Sequence, residues 1–582
     1  MTTEKRTCQN CKKDFQIEPE DFVFYDKIKV SAPTFCPECR LMRRLAWRNE
    51  RSLHARVCDK CGKPMISVFS PETGLTVYCQ PCWWSDSWDP MDYGVEYDPQ
   101  KPFILQVVEL FRNVPVMGLF SLYPTLINSE YTNMVGSLKD CYLLTYSDYN
   151  ENCSYGASII HSKDCFDNLM LENCELCYES INCRNCYKTW YSLDCQNCQN
   201  VFFSRNCVDC TNCFGCVNLR NKNYCFFNEQ LTKDEYERKV GELSLESQKN
   251  IHAIQKNVEK VWNNFPQKYI HSKHSEHISG DYIYNSKDTF NSYLVEDAEN
   301  CKYCSFVTPG GLKDSYDFTN YGAKAELLYE ALQVGDQTFR IAYSWFVISS
   351  AYNIEYSMFI VGSHDLFGSV GLRKKEYCIL NKQYSKNEYG ALKKAIIEDM
   401  GKNPYRDSRG REYRYGEFFP IELSPFSYNE TALEYYPLAE NKAKNLGYKW
   451  FDFRAKDIAN TSHSYSLPEN IHDTDEKATQ YALKCSHAGM CNEPCSGAFK
   501  ITSRELKFHK DHGLALAQLC PSCRHYRRAE FRNKPQLYTR KCVCHSKDHG
   551  HSEKCAVVFE TTYAPDRPEI VYCETCYQKE VV

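Results

Sequence analysis

The chain has 582 residues, enough for several domains, and 43% of them are hydrophobic. Its formal net charge of −5 gives no global attraction to nucleic acid, so any such attraction has to be local. The N-terminus lacks the apolar stretch of a secretory signal, and no segment approaches the ~18 apolar residues that span a bilayer. We therefore expect a cytoplasmic protein without a membrane partner, in which 35 cysteines need an explanation other than disulfides.

The first predicted domain, residues 1–90, contains four Cys-x-x-Cys pairs. They are Cys8 and Cys11, Cys36 and Cys39, Cys58 and Cys61, and Cys79 and Cys82. A Cys-x-x-Cys turn directs two thiolates to one point, and two such turns complete a tetrahedron around zinc. The spacing predicts two four-thiolate sites in tandem zinc-ribbon or treble-clef modules.

An arginine-rich stretch follows the second pair: Arg40, Arg43, Arg44, Arg48 and Arg51. On a helix most of these side chains share one face, and guanidinium groups suit bidentate contacts with phosphates. The stretch predicts a basic stripe that contacts nucleic acid. The alternative is a solvated face that pairs with nearby acidic residues.

The next predicted domain, residues 91–230, is a cysteine-rich repeat. One series of cysteines recurs at every twenty-first position, at Cys153, Cys174, Cys195 and Cys216, and an Asn or Asp often precedes the cysteine. This pattern predicts a right-handed β-solenoid with coils of three short strands, in which cysteine is a small buried residue and Asn or Asp forms turns. The alternative is that the pairs inside the repeat bind zinc or an iron–sulfur cluster.

A second, cysteine-poor copy of the repeat is predicted at residues 281–390. The segment 214–228 recurs as 367–381, and 175–179 recurs as 326–330, with most cysteines replaced. This replacement favours packing over metal binding inside the repeats. Residues 231–280 are predicted to be a helical linker or cap, and 391–480 a helix and connecting segment. The Ser/Thr-x-x-Glu motifs at Thr232 and Ser385 predict helix starts.

The last predicted domain, residues 481–582, repeats the first one. Its predicted zinc ligands are Cys491, Cys495, Cys520, Cys523, Cys542, Cys555, Cys573 and Cys576, which brings the expected total to about four zinc ions. An insertion after Cys542 leaves Cys544, His545, His549 and His551 open as alternative ligands, and Cys485 stays unassigned. Its own arginine stretch consists of Arg524, Arg527, Arg528 and Arg532.

Several long motifs of the chain resemble those of a known family. They are residues 36–51, 63–67, 78–86, 214–220 and 425–430. On these motifs the chain resembles an uncharacterised family of cysteine-rich zinc-ribbon proteins of candidate-phyla bacteria. The resemblance implies zinc ribbons around a cysteine-rich middle and brings no activity with it.

Three classes of function are open from the sequence. The first is a zinc-binding protein that contacts RNA or a ribonucleoprotein, with phosphates on the arginines and bases stacked on Trp47, Trp83 and Trp84. The second is a scaffold that self-associates or docks protein partners. An enzyme is the least favoured class, because no catalytic pairing stands out and four thiolates leave no open position on zinc.

Overall fold

The computed structural model describes residues 2–308, 310–453, 464–465, 467–551 and 553–582. It is a mainly β protein built around β-solenoids of stacked coils, as the sequence predicts. Before the first solenoid, the strands are Glu4–Thr7, Asp14–Ile17, His54–Val57, Pro64–Ser67, Val77–Tyr78 and Val116–Met117, and the helices are α1 (Pro19–Ile28), α2 (Pro37–Leu45), α3 (Gln80–Trp84) and α4 (Phe103–Asn113).

The first solenoid consists of short, mostly parallel strands. These are Leu126–Ile127, Asn133–Lys139, Thr145–Glu151, Ala157–Ile160, Leu169–Glu172, Ile181–Arg184, Tyr187–Trp190, Gln199–Phe202, Thr211–Phe214, Asn223–Phe226 and Glu229–Gln230. A linker then contains α5 (Lys233–Gly241), α6 (Gln248–Trp262) and the strand Gln267–Lys268.

The second solenoid has the strands Ser272–Lys273, Glu276–Tyr284, Lys287–Glu296, Ala298–Lys302, Ser305–Val307, Leu312–Lys313, Ala325–Tyr329, Leu332–Val334, Phe339–Ala342, Trp345–Ile348, Tyr352–Glu355, Met358–Val361, His364–Phe367, Glu376–Ile379 and Lys382–Gln383. The rest of the described chain contains α7 (Lys386–Lys402), α8 (Ala432–Tyr435), α9 (Glu440–Asn445), α10 (Ser503–His512), α11 (Pro521–Ala529) and α12 (Glu574–Val581), with strands Tyr405–Arg406, Glu412–Tyr413, Ser464–Tyr465, Ala482–Lys484, Ala498–Phe499, Tyr538–Lys541, Val558–Thr561 and Val571–Tyr572.

The coil of the first solenoid is 12 residues long, the separation between stacked residues such as Asn185 and Asn197. This length corrects the longer step that the cysteine series suggests. Ala157 pairs with Leu169, and Leu169 pairs with Ile181, in parallel ladders. Inward-facing side chains recur at every third residue, so any step that is a multiple of three joins two inward positions. A step of 21 residues is a multiple of three but not of 12. The cysteines of that series are therefore all buried, but successive ones lie on different sides of the solenoid.

Backbone conformation explains why Asn and Asp precede the inward residues. At nearly every third position from 134 to 227 the backbone is left-handed, with φ of about 50–60°, for example 55° at Asn152 and 52° at Asp164. Asn and Asp tolerate this conformation better than most residues because their side chains form local hydrogen bonds. Equivalent corners stack, and Asn185 donates to Asn197, which donates to Asp209, at 3.0 and 2.9 Å.

The inward cysteines of the first solenoid pack as small buried residues. The Sγ atom of Cys153 lies 3.4 Å from the carbonyl oxygens of Glu151 and Ser162, so the thiol has acceptors on its own coil and the next. Burial raises the pKa of the Cys165 and Cys177 thiols well above the usual range. The neutral thiol is therefore favoured at these positions, in agreement with packing.

The second solenoid has a more apolar interior, and stacked residues on neighbouring coils are mostly 12 or 13 residues apart. Phe339 pairs with Tyr352, and Tyr352 pairs with His364. Its inner core includes Leu328 and Ile341, both fully buried.

Both solenoids end as predicted. Thr232 and Ser385 form capping boxes that start α5 and α7 directly after the last strands of each solenoid. In each box the hydroxyl accepts from a backbone N–H of the first helical turn, and the glutamate three residues later accepts from the backbone N–H of the capping residue. These helix starts are therefore fixed by local sequence.

Each end of the chain packs on the solenoid that is more distant from it in the sequence. Helix α4 lies before the first solenoid but packs on the second, where Phe103 stacks on Phe367 with ring centroids 4.6 Å apart. Gly368 permits this approach: its φ is +64°, and a Cβ atom there would lie 2.4 Å from Phe103. At the other end of the chain, Phe508 of α10 packs on the first solenoid, with its ring centroid 4.6 Å from that of Phe166. Within the described chain, no helix is long and apolar enough to cross a membrane.

Candidate metal centres and buried arginine clamps

Four groups of four cysteines bring their sulfur atoms together at the two ends of the chain. Within each group the sulfurs lie within 4.8 Å of one another, so each group could hold a metal ion. The groups are Cys8, Cys11, Cys36 and Cys39; Cys58, Cys61, Cys79 and Cys82; Cys485, Cys495, Cys520 and Cys523; and Cys542, Cys555, Cys573 and Cys576.

The four groups share one local architecture. An antiparallel two-stranded hairpin accompanies each group, and the third cysteine is the N-cap of a helix, as Cys36 is for α2 and Cys520 is for α11. The fourth cysteine lies in the first turn of that helix. The positive end of the helix dipole favours the thiolate form of two neighbouring cysteines, the form that binds a metal ion.

A backbone hydrogen bond repeats in every group and identifies the first ligand. The N–H of Cys36 donates to Cys8 Sγ at 3.3 Å, and the N–H of Cys79 donates to Cys58 Sγ at 3.2 Å. In the last group the N–H of Cys573 donates to Cys542 Sγ at 3.3 Å. Such a bond favours the thiolate form of the sulfur and orients it.

In the third group this bond corrects the predicted ligand set. The N–H of Cys520 donates to the Sγ of Cys485 at 3.3 Å, so Cys485 holds the place predicted for Cys491. Cys491 is half-buried, and its sulfur lies 3.7 Å from that of Cys523 at the edge of the group. Cys491 was predicted as a ligand because the spacing of Cys491 and Cys495 is close to that of a Cys-x-x-Cys pair. The hairpin that carries the cysteines of this group instead begins at Ala482–Lys484.

The arginine stretches are not the exposed basic stripes that the sequence predicts. Arg40, Arg43, Arg44, Arg48, Arg524 and Arg528 are each no more than 2% exposed, while Arg51, Arg527 and Arg532 are partly buried. Trp47 and Trp83 are also fully buried, whereas Trp84 is half-buried. An outside phosphate or base could reach the buried groups only if the surrounding packing opened.

Helix α2 carries the first of two buried ion-pair clusters, here called the N-terminal clamp (Arg40, Arg43, Arg44, Asp317, Glu330 and Glu417). Arg40 contacts Asp317 at 2.8 Å, and Arg44 contacts Asp317 at 3.3 Å and Glu330 at 3.0 Å. Arg43 pairs with Glu330 and, at 3.3 Å, with Glu417. Three cations thus meet three carboxylates, two of which belong to the second solenoid.

Helix α11 carries the equivalent C-terminal clamp (Arg524, Arg527, Arg528, Asp167, Glu179 and Glu505). Arg524 contacts Asp167 at 2.5 Å and Glu505 at 2.9 Å. Arg528 contacts Asp167 at 3.0 Å and Glu179 at 3.2 Å, and Arg527 contacts Glu179 at 2.6 Å. Here too three cations meet three carboxylates, and two of these lie on the first solenoid.

The acidic partners of the clamps occupy matching positions in the two solenoids. Asp167 and Asp317 follow the equivalent sequences Lys-Asp-Cys-Phe and Lys-Asp-Ser-Tyr, and Glu179 and Glu330 end the repeated segments 175–179 and 326–330. All four are left-handed corner residues. The acidic partners of the arginines are therefore part of the internal repeat, and their equivalent positions in the two copies were visible in the sequence.

The remaining predicted residues lie near the clamps. Arg48 pairs with Glu50 and Tyr146, and Arg532 pairs with Glu434 at 2.6 Å. Arg51 lies beside them in a cavity of about 270 Å³ between the two solenoids, and burial lowers its pKa to about 10. His545, one of the open alternatives in the last module, is exposed.

Comparison with protein-family models finds no match, and comparison with curated proteins finds none either. Among solved structures, the chain is similar to a putative acetyltransferase from Desulfovibrio desulfuricans G20, with 10% identity over 49% of this chain and 84% of that chain and a TM-score of 0.09. A similarity at that level supports no argument about fold or activity. Fold and geometry thus define a class: a β-solenoid protein whose ends carry four-cysteine groups able to hold metal ions.

Proposed function

We propose that the protein is a zinc-dependent structural scaffold, in which the terminal modules fasten two β-solenoids to each other. The observation that carries the proposal is the crossed pair of clamps. The N-terminal modules form ion pairs with Asp317 and Glu330 of the second solenoid. The C-terminal modules form ion pairs with Asp167 and Glu179 of the first.

The spacing of the sulfur atoms is compatible with tetrahedral zinc. Tetrahedral thiolates with Zn–S bonds of about 2.3 Å lie about 3.8 Å apart. The distance is 3.8 Å between Cys11 and Cys36, and 3.9 Å between Cys61 and Cys79, between Cys495 and Cys520, and between Cys555 and Cys573. Four thiolates complete the coordination of zinc, so these ions would have a structural role rather than a catalytic one.

The burial of the arginines supports the scaffold over phosphate contact. A buried guanidinium that is paired with carboxylates is already desolvated, and its charge is already compensated. It would have to break those ion pairs to bind a phosphate. Three positive charges against three negative ones leave each clamp formally neutral. The outer coil faces of the solenoids, not the clamp helices, would then be available to partners.

Metal removal tests the proposal. We expect zinc-loaded protein to be compact in small-angle X-ray scattering, and zinc-free protein to expand while the solenoids keep their β signal in circular dichroism. Cys39→Ser should release one ion and speed hydrogen exchange in α2, whereas Cys153→Ser, inside the solenoid, should change neither. Unchanged compactness after complete removal of zinc would contradict the proposal.

RNA or ribonucleoprotein binding stays a prediction, and the same protein tests it. Binding through phosphate contacts should weaken steeply as salt rises. Binding with that salt dependence, lost in Arg51→Ala, would favour nucleic-acid contact through a partly exposed arginine that belongs to neither clamp. Absence of binding at low salt, together with metal-dependent compaction, would favour the scaffold.

A further inference from the structure

The insertion in the last module contains a second set of metal-binding side chains beside the Cys542 group. Cys544, His549 and His551 place their ligand atoms within 4.8 Å of one another and of Cys576 Sγ. Cys544 and His549 are buried, and His551 is half-buried. Cys576 belongs to both sets, so its sulfur lies between the two candidate ion positions.

In both histidines one ring nitrogen faces the sulfurs, and the other nitrogen contacts an oxygen acceptor outside the cluster. Nδ1 of His549 lies 3.1 Å from Cys544 Sγ, and its Nε2 lies 3.2 Å from a carboxylate oxygen of Glu580. Nε2 of His551 lies 3.6 Å from Cys576 Sγ, and its Nδ1 lies 2.9 Å from the carbonyl oxygen of Glu553.

These outer contacts set the tautomers. A carboxylate and a carbonyl are acceptors only, so in the neutral imidazole each outer nitrogen carries the proton and each inner nitrogen presents a lone pair toward the sulfurs. Histidine ligands of zinc are held in the same way, by an acceptor on the nitrogen that does not bind the metal. The distance of 3.6 Å between His551 and Cys576 also matches the separation of about 3.6 Å expected for one nitrogen and one sulfur on the same tetrahedral zinc.

We propose that the last module holds two zinc ions bridged by the thiolate of Cys576. The first ion has Cys542, Cys555, Cys573 and Cys576, and the second has Cys544, His549, His551 and the shared Cys576. Five thiolates against two divalent ions leave a net charge of −1, whereas four thiolates on a single ion leave −2. The shared thiolate thus gives the two-ion cluster a smaller net negative charge than a single four-thiolate site has.

The test counts zinc in the purified full-length chain by elemental analysis and by mass spectrometry under native conditions. One ion for each of the four cysteine groups and one for the new set gives five per chain. Cys544→Ala, His549→Ala and His551→Ala should each leave four. His545→Ala, an exposed histidine of the same insertion, is the matched control and should keep five. Four ions in the wild type and in every variant would overturn the proposal.

Two further measurements keep the proposal testable if a variant fails to fold. X-ray absorption of the zinc-loaded wild type should show imidazole scattering, which the four cysteine groups cannot supply; sulfur scattering alone would overturn the proposal. Glu580→Gln should weaken one ion by about 10–100-fold in a chelator competition and leave the others unchanged, because it alters only the acceptor of His549. Equal affinity of all ions in Glu580→Gln and wild type would count against the second site.

Discussion

Replacing Asp317 by asparagine tests how much the N-terminal clamp contributes to stability. Asp317 is fully buried and accepts from Arg40 at 2.8 Å and from Arg44 at 3.3 Å. Asparagine keeps nearly the same shape but removes the charge, so two buried guanidinium groups lose a shared partner. Breaking a buried ion pair from one side costs about 3–5 kcal/mol, mostly because the other charge stays buried and uncompensated.

Hydrogen exchange of α2 in zinc-loaded protein measures this cost. At 1.36 kcal/mol for each factor of ten, a loss of about 3–5 kcal/mol lowers the protection of its amides by roughly two to four orders of magnitude. Asp314→Asn is the matched control. Asp314 is a left-handed corner of the same solenoid and pairs with Lys27 at 2.8 Å, but this pair is at the surface and contributes only about 0–1 kcal/mol.

A double-mutant cycle separates the ion pair from general damage to the fold. Arg40→Leu combined with Asp317→Asn should cost less than the sum of the two single changes, because the double variant buries fewer unpaired charges. If Asp317→Asn were no more destabilising than Asp314→Asn, the clamp would not hold α2 on the second solenoid and the reasoning would be refuted.

The other predictions concern the second clamp, pH and the solenoid core. Asp167→Asn should destabilise α11 by a similar ~3–5 kcal/mol and leave α2 protected, as measured by hydrogen exchange of both helices. Burial lowers the pKa of His509 to about 4, so its neutral form stabilises the fold fully above about pH 6.5 and this contribution is lost as pH falls toward 4. The full loss is roughly 3 kcal/mol, so the fall in the urea midpoint between pH 7.5 and 4.5 should be larger in wild type than in His509→Gln. Cys195→Leu should destabilise the first solenoid by about 1–3 kcal/mol through overpacking, whereas Cys195→Ser should cost less and release no zinc; loss of an ion from Cys195→Ser would indicate a metal ligand instead.

The sequence predicted what depends on short spacing and missed what depends on contacts between distant segments. Pairs such as Cys36 and Cys39 lie in one turn, so their convergence follows from local geometry, and the capping boxes at Thr232 and Ser385 are equally local. The repeat was visible, but the true length of its coil was hidden because inward positions recur at every third residue. The burial of Arg44 could not be predicted locally, since its carboxylate partners lie 273 and 286 residues further along the chain.

The crossing of the two ends has a consequence for how the chain is made. Arg40 meets its partner 277 residues later, and Arg524 closes on a residue made 357 positions earlier. During synthesis α2 therefore cannot form these ion pairs until the second solenoid has left the ribosome, and Asp167 on the first solenoid has no Arg524 partner until α11 has been made. Removing α2 or α11 would therefore leave two buried carboxylates of one solenoid without the arginines that neutralise them.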